Sequence, residues 1–210
     1  MKDFSVVMAL ADYIPVALFA AASVLLMRDL YGKMSKGAFA LFAAGLIFVI
    51  CAGALKALYK LLYAAGVCDF TALNVMMMPV QSIGFLLAGL GLLAMVTHRQ
   101  GAAYAVAAPP VFSGTFIFVG LMVAGFGLMH TVLCILAKKL KKPAAIALFV
   151  LSFVCSLGMG YLSSRDFTQA SMNWAAEGVN ILGEAALLMG VLLLHRNGLA
   201  SLSLEEEKAS

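Results

Sequence analysis

The sequence predicts an all-α polytopic membrane protein with six transmembrane helices. Three observations lead there. Hydrophobic residues make up 64% of the 210 positions and charged residues only 11%, whereas a soluble domain carries about 25% charged residues. Six apolar runs of the length a bilayer demands, roughly 20 residues each, follow one another along the chain. Charged residues and helix breakers gather between the runs.

The first run, 5–27, follows Lys2 and offers the small residues Ala20-Ala21-Ala22, as a signal peptide would. It is longer than an h-region and Asp3 weakens the basic start, so it reads as a retained helix. A loop from Arg28 through Tyr31-Gly32-Lys33 to Lys36 leads to the second run, 37–62. Tyr63–Phe70 separates it from the third, 71–97, and His98–Pro110, ending in Pro109-Pro110, precedes the fourth, 112–137. Lys138-Lys139-Leu140-Lys141-Lys142-Pro143 turns the chain into the fifth, 143–163, and Ser163–Thr168 into the sixth, 172–195. Residues 1–200 thus read as a single membrane domain, followed over 201–210 by a short acidic tail with Glu205, Glu206 and Glu207.

Six spans put both termini on one side. That side collects Lys2, Lys60, the lysines of 138–142 and Arg196, seven basic residues against five for the other. The positive-inside rule then places both termini in the cytoplasm, with the chain in the plasma (cytoplasmic) membrane. The halves share short matches. Asp69-Phe70-Thr71 resembles Asp166-Phe167-Thr168, Ala40-Leu41-Phe42 recurs as Ala147-Leu148-Phe149, and Gln81-Ser82-Ile83-Gly84 sets against Asn180-Ile181-Leu182-Gly183. Chance matches between apolar helices are the alternative. A true 3+3 repeat would force the halves into inverted topology, as in many secondary transporters.

The net charge of +4 sits in loop lysines and arginines, with no basic stretch interleaved with aromatics, so no nucleic-acid partner is indicated. Cys51, Cys68, Cys134 and Cys155 form no CxxC pair, which leaves them as small hydrophobes and indicates no metal site or redox pair. No hydrolase, protease or nucleotide-binding signature occurs, so no catalytic residue and no cofactor is expected.

The chemistry lies in the polar residues inside the spans, where an ionisable group is costly unless paired. The sixth helix carries Asn173, Glu177, Asn180 and Glu184, at spacings of 4, 3 and 4. At 3.6 residues per turn these lie on one stripe. Glu184 sits near mid-span, too deep to snorkel to water. The stripe must face the bundle interior, where a carboxyl suits cation binding or proton carriage. The competing reading is a hydrogen-bond network that only fixes packing. A second cluster follows from depth: Asp12 in the first helix, Lys56 and Lys60 near the end of the second, and Asn74 opening the third. Asp12 and Lys56 are expected to pair, Lys56 and a sixth-helix glutamate being the alternative, while Lys60 can snorkel. In the third helix Pro79 introduces a kink just before Gln81 and Ser82.

His130 is expected to be a hydrogen-bonded packing residue, with a proton relay as the alternative. His98 and His195 fall on opposite faces in a six-span arrangement and cannot share a haem. Trp174, Tyr13, Tyr59, Tyr63 and Tyr161 near span ends suit an interfacial belt or the walls of a cation site. The functional expectation is a small secondary transporter or membrane-embedded solute-binding protein for a small cationic or amphipathic solute. Its site would hold Glu177, Glu184, Asn180, Asn173, Gln81, Lys56 and Asp12. Its partners would be the lipid bilayer, the solute, and a second copy or another membrane subunit. The alternatives are a substrate-capturing subunit of a larger uptake complex, a membrane enzyme acting on a lipid or isoprenoid, and an assembly protein whose stripe joins helices.

Overall fold

The computed structural model describes residues 5–97, 115–163 and 170–203. The elements among them are helices: α1 (Val6–Ala11), α2 (Tyr13–Leu30), α3 (Lys36–Ala64), α4 (Ala72–Val96), α5 (Thr115–Lys139), α6 (Pro143–Ser163) and α7 (Ala170–Arg196), with 3-10 turns at Tyr31–Lys33 and Leu199–Ser201. Five stretches are long and apolar enough to cross a bilayer: Val6–Lys33, Lys36–Ala64, Ala72–Val96, Ile117–Lys139 and Ser171–Arg196, with a shorter apolar one at Pro143–Met159. This is the architecture of a helical integral membrane protein. Lys2, the 98–114 loop with His98 and Arg99, the 164–169 loop with Asp166-Phe167-Thr168, and the acidic tail Glu205–Glu207 lie outside the described residues.

Local chemistry accounts for the helix ends. Ser5 and Ser35 cap α1 and α3, their hydroxyls accepting from the N–H groups of Met8 and Ala38 at 3.2 Å. The first span is interrupted by a turn at Asp12, because Pro15 has no N–H for the carbonyl of Ala11. Lys141 takes a left-handed φ of 55°. It lets the Lys142 N–H bond back to the Ala137 carbonyl at 2.9 Å and so closes α5. Pro143 then opens α6 where its missing N–H costs nothing.

Side-chain contacts fix the direction of each helix. Asp12 at the start of α2 binds Lys60 near the end of α3, so these helices are antiparallel. The α3·α4 and α6·α7 pairs are antiparallel too: Gly91 packs on Phe42 and Gly84 on Gly45, while Gly190 packs on Phe149 and Gly183 on Cys155. Helices α2 and α7, however, run in the same direction. Asp12 neighbours Glu177 at one end, and Asp29 meets His195 at the other. The three-residue turn after α5 makes α5 and α6 a hairpin, so α5 also runs with α2 and α4.

This corrects the inverted arrangement expected of a 3+3 repeat. Each three-helix group starts at the Asp12 end and finishes at the Asp29 end. The first and last described residues therefore lie at opposite ends of the bundle, not on one side. The end of α4 and the start of α5 thus lie at opposite ends of the bundle, which counting apolar runs could not register.

The two groups pack by matching contacts. A Cβ added to Gly84 would sit 2.8 Å from the Gly45 carbonyl oxygen and 3.1 Å from the Phe48 Cβ. One added to Gly183 would sit 3.7 Å from the Ser152 carbonyl oxygen and 2.9 Å from the Cys155 Cβ. Ser152 and Cys155 stand 107 positions after Gly45 and Phe48, while Gly183 stands 99 after Gly84. Gly91 against Phe42 and Gly190 against Phe149 obey the same two offsets. The buried faces of α2 and α5 match likewise: Phe19, Ala22, Ser23, Leu26 and Leu30 correspond to Phe126, Met129, His130, Leu133 and Ala137.

The apolar core fills the Asp29 half of the bundle, with Leu26, Leu30, Phe42, Leu92, Met95, Leu136, Phe149, Val191 and Leu194 in one cluster. The Asp12 half is packed less completely, and the polar residues collect there.

Candidate functional site: a polar cavity in the Asp12 half

A cavity of about 220 Å³ lies among α2–α7 in this half. Asp12, Pro15, Val16 and Phe19 come from α2 and the turn before it. Val49, Ile50, Gly53 and Lys56 come from α3, and Met77, Met78, Gln81 and Phe85 from α4. Met122, Val123 and Phe126 of α5, with Phe153, Ser156, Leu157 and Met159 of α6, line the opposite side. The remaining wall is the α7 stripe of Glu177, Asn180 and Glu184.

Of the seven residues the sequence picks out, six line this cavity: Asp12, Lys56, Gln81, Glu177, Asn180 and Glu184. Asn173 is buried one turn before Glu177 and does not line it. Asn74, at the opening of α4, is exposed. The expected pairing of Asp12 changes partner. Lys60, read as able to snorkel, approaches Asp12 at 2.5 Å. Lys56, one turn deeper, stands within electrostatic reach of Asp12, Glu177 and Lys60. Depth along the membrane was legible from sequence, but which of two lysines one turn apart turns toward α2 depends on the rotation of α3.

The charges are distributed unevenly. Glu177 lies within hydrogen-bonding reach of Asp12, and both carboxyl groups share the neighbourhood of Lys60 and Lys56. Glu184 is two turns further in, about 10 Å along α7. Among the described residues no hydrogen bond or ion pair reaches it, and its Oε2 is buried without a partner. Oδ1 of Asp12 and Oε1 of Glu177 are likewise unpartnered. Buried polar atoms are normally satisfied, and three such oxygens gather around this one cavity.

Aromatic rings form the inner wall. The Phe19 and Phe85 centroids are 5.9 Å apart, Phe85 and Phe126 4.7 Å, and Phe126 and Phe153 5.9 Å. The polar-residue reading passed over these rings, although a signal existed. Met78, Gln81 and Phe85 repeat on α4 the 3 and 4 spacing of Glu177, Asn180 and Glu184, and they stand 99 positions before them. The frame of the cavity thus draws on positions 99 apart on α4 and α7, but their chemistry differs: α7 contributes carboxylates where α4 contributes methionine and phenylalanine.

Comparison with family models, with curated proteins and with solved structures gives no match to this chain. The residues and their geometry carry the functional reading by themselves.

The other singled-out residues are structural. Buried His130 donates from Nδ1 to the Phe126 carbonyl at 3.0 Å and accepts at Nε2 from the Ser152 hydroxyl at 3.1 Å. That is the packing role expected of it. Ser82 is fully buried, its hydroxyl donating to the Met78 carbonyl at 2.6 Å, and α4 continues as one helix through Pro79. Tyr59 is no belt residue: it is buried, with its hydroxyl 3.3 Å from Asp69. Neither Tyr59 nor Tyr13 or Tyr63 lines the cavity. Trp174 is exposed, as a belt residue would be.

Proposed function

We propose that the protein is a small secondary transporter or membrane-embedded solute-binding protein for a small cationic or amphipathic solute. The observation that carries this reading is the cavity that the α7 stripe faces. A stripe serving only helix association would be sealed against a neighbouring helix. Here Glu177, Asn180 and Glu184 line a space bounded by residues of all six long helices. Acid groups, amides and aromatic faces are what a ligand with a cationic head and an apolar body requires. The lining residues include no arginine to hold a lipid phosphate, which ranks a lipid-modifying enzyme lower.

We take α6 as the sixth helical crossing and the two three-helix groups as a parallel repeat. The matching glycine contacts support that choice. Parallel halves meeting at a central site are one of the two transporter repeat patterns. Orientation follows from charge. Among the described residues, Arg28, Lys33, Lys36, Lys138, Lys139, Lys141, Lys142 and Arg196 belong to the Asp29 end, against Lys56 and Lys60 in the Asp12 half. We orient that end toward the cytoplasm of a plasma membrane. The cavity then occupies the outer half, suited to taking up solute from outside. A capture subunit of a larger uptake complex would present its cavity in the same way.

The test is reconstitution into liposomes and a screen of small amines and amphipaths for binding and uptake, with wild type beside Glu184→Gln. The reading expects at least one solute whose binding is lost in the variant. Wild type and variant behaving alike across the screen would contradict it.

A further inference from the structure

Resting on that reading, we propose that a proton and an organic monocation occupy Glu184 in turn, so that loading of one displaces the other. The ligand class is an amine or quaternary ammonium about the size of a benzyl group.

Charge pairing in the cavity is incomplete. Asp12 is matched by Lys60 at 2.5 Å. Glu177 shares their neighbourhood, with Lys56 in electrostatic reach. Glu184 is left over: no described side chain bonds to it, and its Oε2 is buried and unpartnered. An ionised carboxylate in such surroundings is strongly disfavoured without a partner. It can be neutralised by a proton or by a cation, and one carboxylate does not take both.

The walls select the kind of cation. A hard metal ion takes six or more oxygen ligands, and among the described residues no three acidic, histidine or cysteine side chains gather closely enough to hold one; besides its charged groups the cavity offers the amides of Gln81 and Asn180, the Ser156 hydroxyl and the Phe85, Phe126 and Phe153 rings. Aromatic faces attract alkylammonium groups. The volume of about 220 Å³ exceeds the roughly 150 Å³ that holds a benzene molecule. That leaves room for one ring and a small ammonium head. The asymmetry of the frame orients such a ligand, its head toward α7 and its ring toward Met78 and Phe85 on α4.

Other titratable groups near α7 have partners elsewhere: Asp29 and Arg28 of α2 meet His195 at the far end. Asp12 comes from the turn before α2, Lys56 and Lys60 from α3, and Glu177 from α7 itself, and these form the outer cluster. Cys155 of α6 packs on Gly183, and His130 of α5 is bonded to Phe126 and Ser152. Among the residues lining the cavity, α4 contributes no titratable side chain.

The experiment is calorimetric titration of the purified full chain in detergent. The probes are benzyltrimethylammonium and its uncharged isostere neopentylbenzene. Each titration is run in two buffers of different ionisation heat, so that protons released per ligand bound can be counted. The proposal expects about one proton released per cation, binding at least tenfold weaker for the neutral probe, and loss of both binding and release in Glu184→Gln. Glu184→Asp keeps the carboxylate and should keep proton release, which separates loss of the group from loss of the fold. Cation binding without proton release, or release that survives Glu184→Gln, overturns the exchange and leaves the solute-binding reading standing. Equal binding of the two probes, or binding of the neutral one alone, overturns the cation class while still supporting a ligand cavity. Binding of neither probe overturns this inference, and the liposome screen decides the broader reading independently.

Discussion

Nδ1 of His195 lies 2.8 Å from Oδ2 of Asp29 and 3.0 Å from Oδ1, joining the end of the last long helix to the end of the first. Arg28 joins the group, its guanidinium 2.8 Å from Nε2 and its Nε 3.7 Å from Oδ1 of Asp29. Nδ1–H donates to the carboxylate and Nε2 accepts from the guanidinium. Asp29 is buried, with 4% of its surface exposed, so it depends on this partner. His195→Ala should therefore lower stability by about 1–3 kcal/mol, the cost of an abandoned buried acceptor. Thermal melting in detergent checks this. Asp29→Asn combined with His195→Ala should recover part of the loss.

The same contact sets the topology. With α2 and α7 parallel, Ser5 and Ser201 belong to opposite ends of the bundle. In a chain whose native cysteines have been replaced, Ser5→Cys should react with a membrane-impermeant thiol reagent on intact cells. Ser201→Cys should react only after permeabilisation. Labelling of both from one face would restore the six-span arrangement with termini together.

Close approach of α4 and α5 holds the two three-helix groups against each other. A Cβ on Gly125 would run into the backbone of Phe85 and Leu86, whereas one on Gly120 meets nothing within 4 Å. Gly125→Ala should destabilise by about 1–3 kcal/mol, as overpacking does. Gly120→Ala should be neutral or gain about 0.5–1 kcal/mol from the reduced backbone freedom of the unfolded chain. Unfolding in denaturant distinguishes the two.

At the mouth of the cavity Asp12 and Lys60 are a buried pair, with side-chain exposures of 7% and 12%. Removing the cation alone strands the carboxylate, so Lys60→Met should cost about 3 kcal/mol or more. Asp12→Asn in the same chain should relieve much of that. A double-mutant cycle measures the coupling, and additive losses would mean that the pair contributes nothing specific.

Much of this was legible in the sequence. Hydropathy located the long helices to within a few residues, α6 (143–163) at both ends. The spacing of Glu177, Asn180 and Glu184 located one wall of the cavity, since burial of a polar stripe needs no knowledge of neighbours. Gln81 and Gly84, set against Asn180 and Gly183 in the sequence, lie on α4 and α7, each of which packs a glycine on the preceding helix. Three things were not legible. Helix direction after α4 is set by the parallel packing of α4 on α5 at Gly89 and Gly125, which no periodicity of either helix records. The Asp29–His195 contact joins positions 166 apart, and no periodicity links them. The phenylalanine wall looks like ordinary core until the helices are assembled around it.

The central claim is that the α7 stripe faces a space a ligand can enter. It is tested most directly by the reactivity of Asn180→Cys toward a small water-soluble thiol reagent, with Ala186→Cys as the packed reference on the same helix. A cavity predicts fast modification of Asn180→Cys, slowed by benzyltrimethylammonium, and little modification of Ala186→Cys. Equal protection of both positions, unaffected by the ammonium probe, would contradict the account.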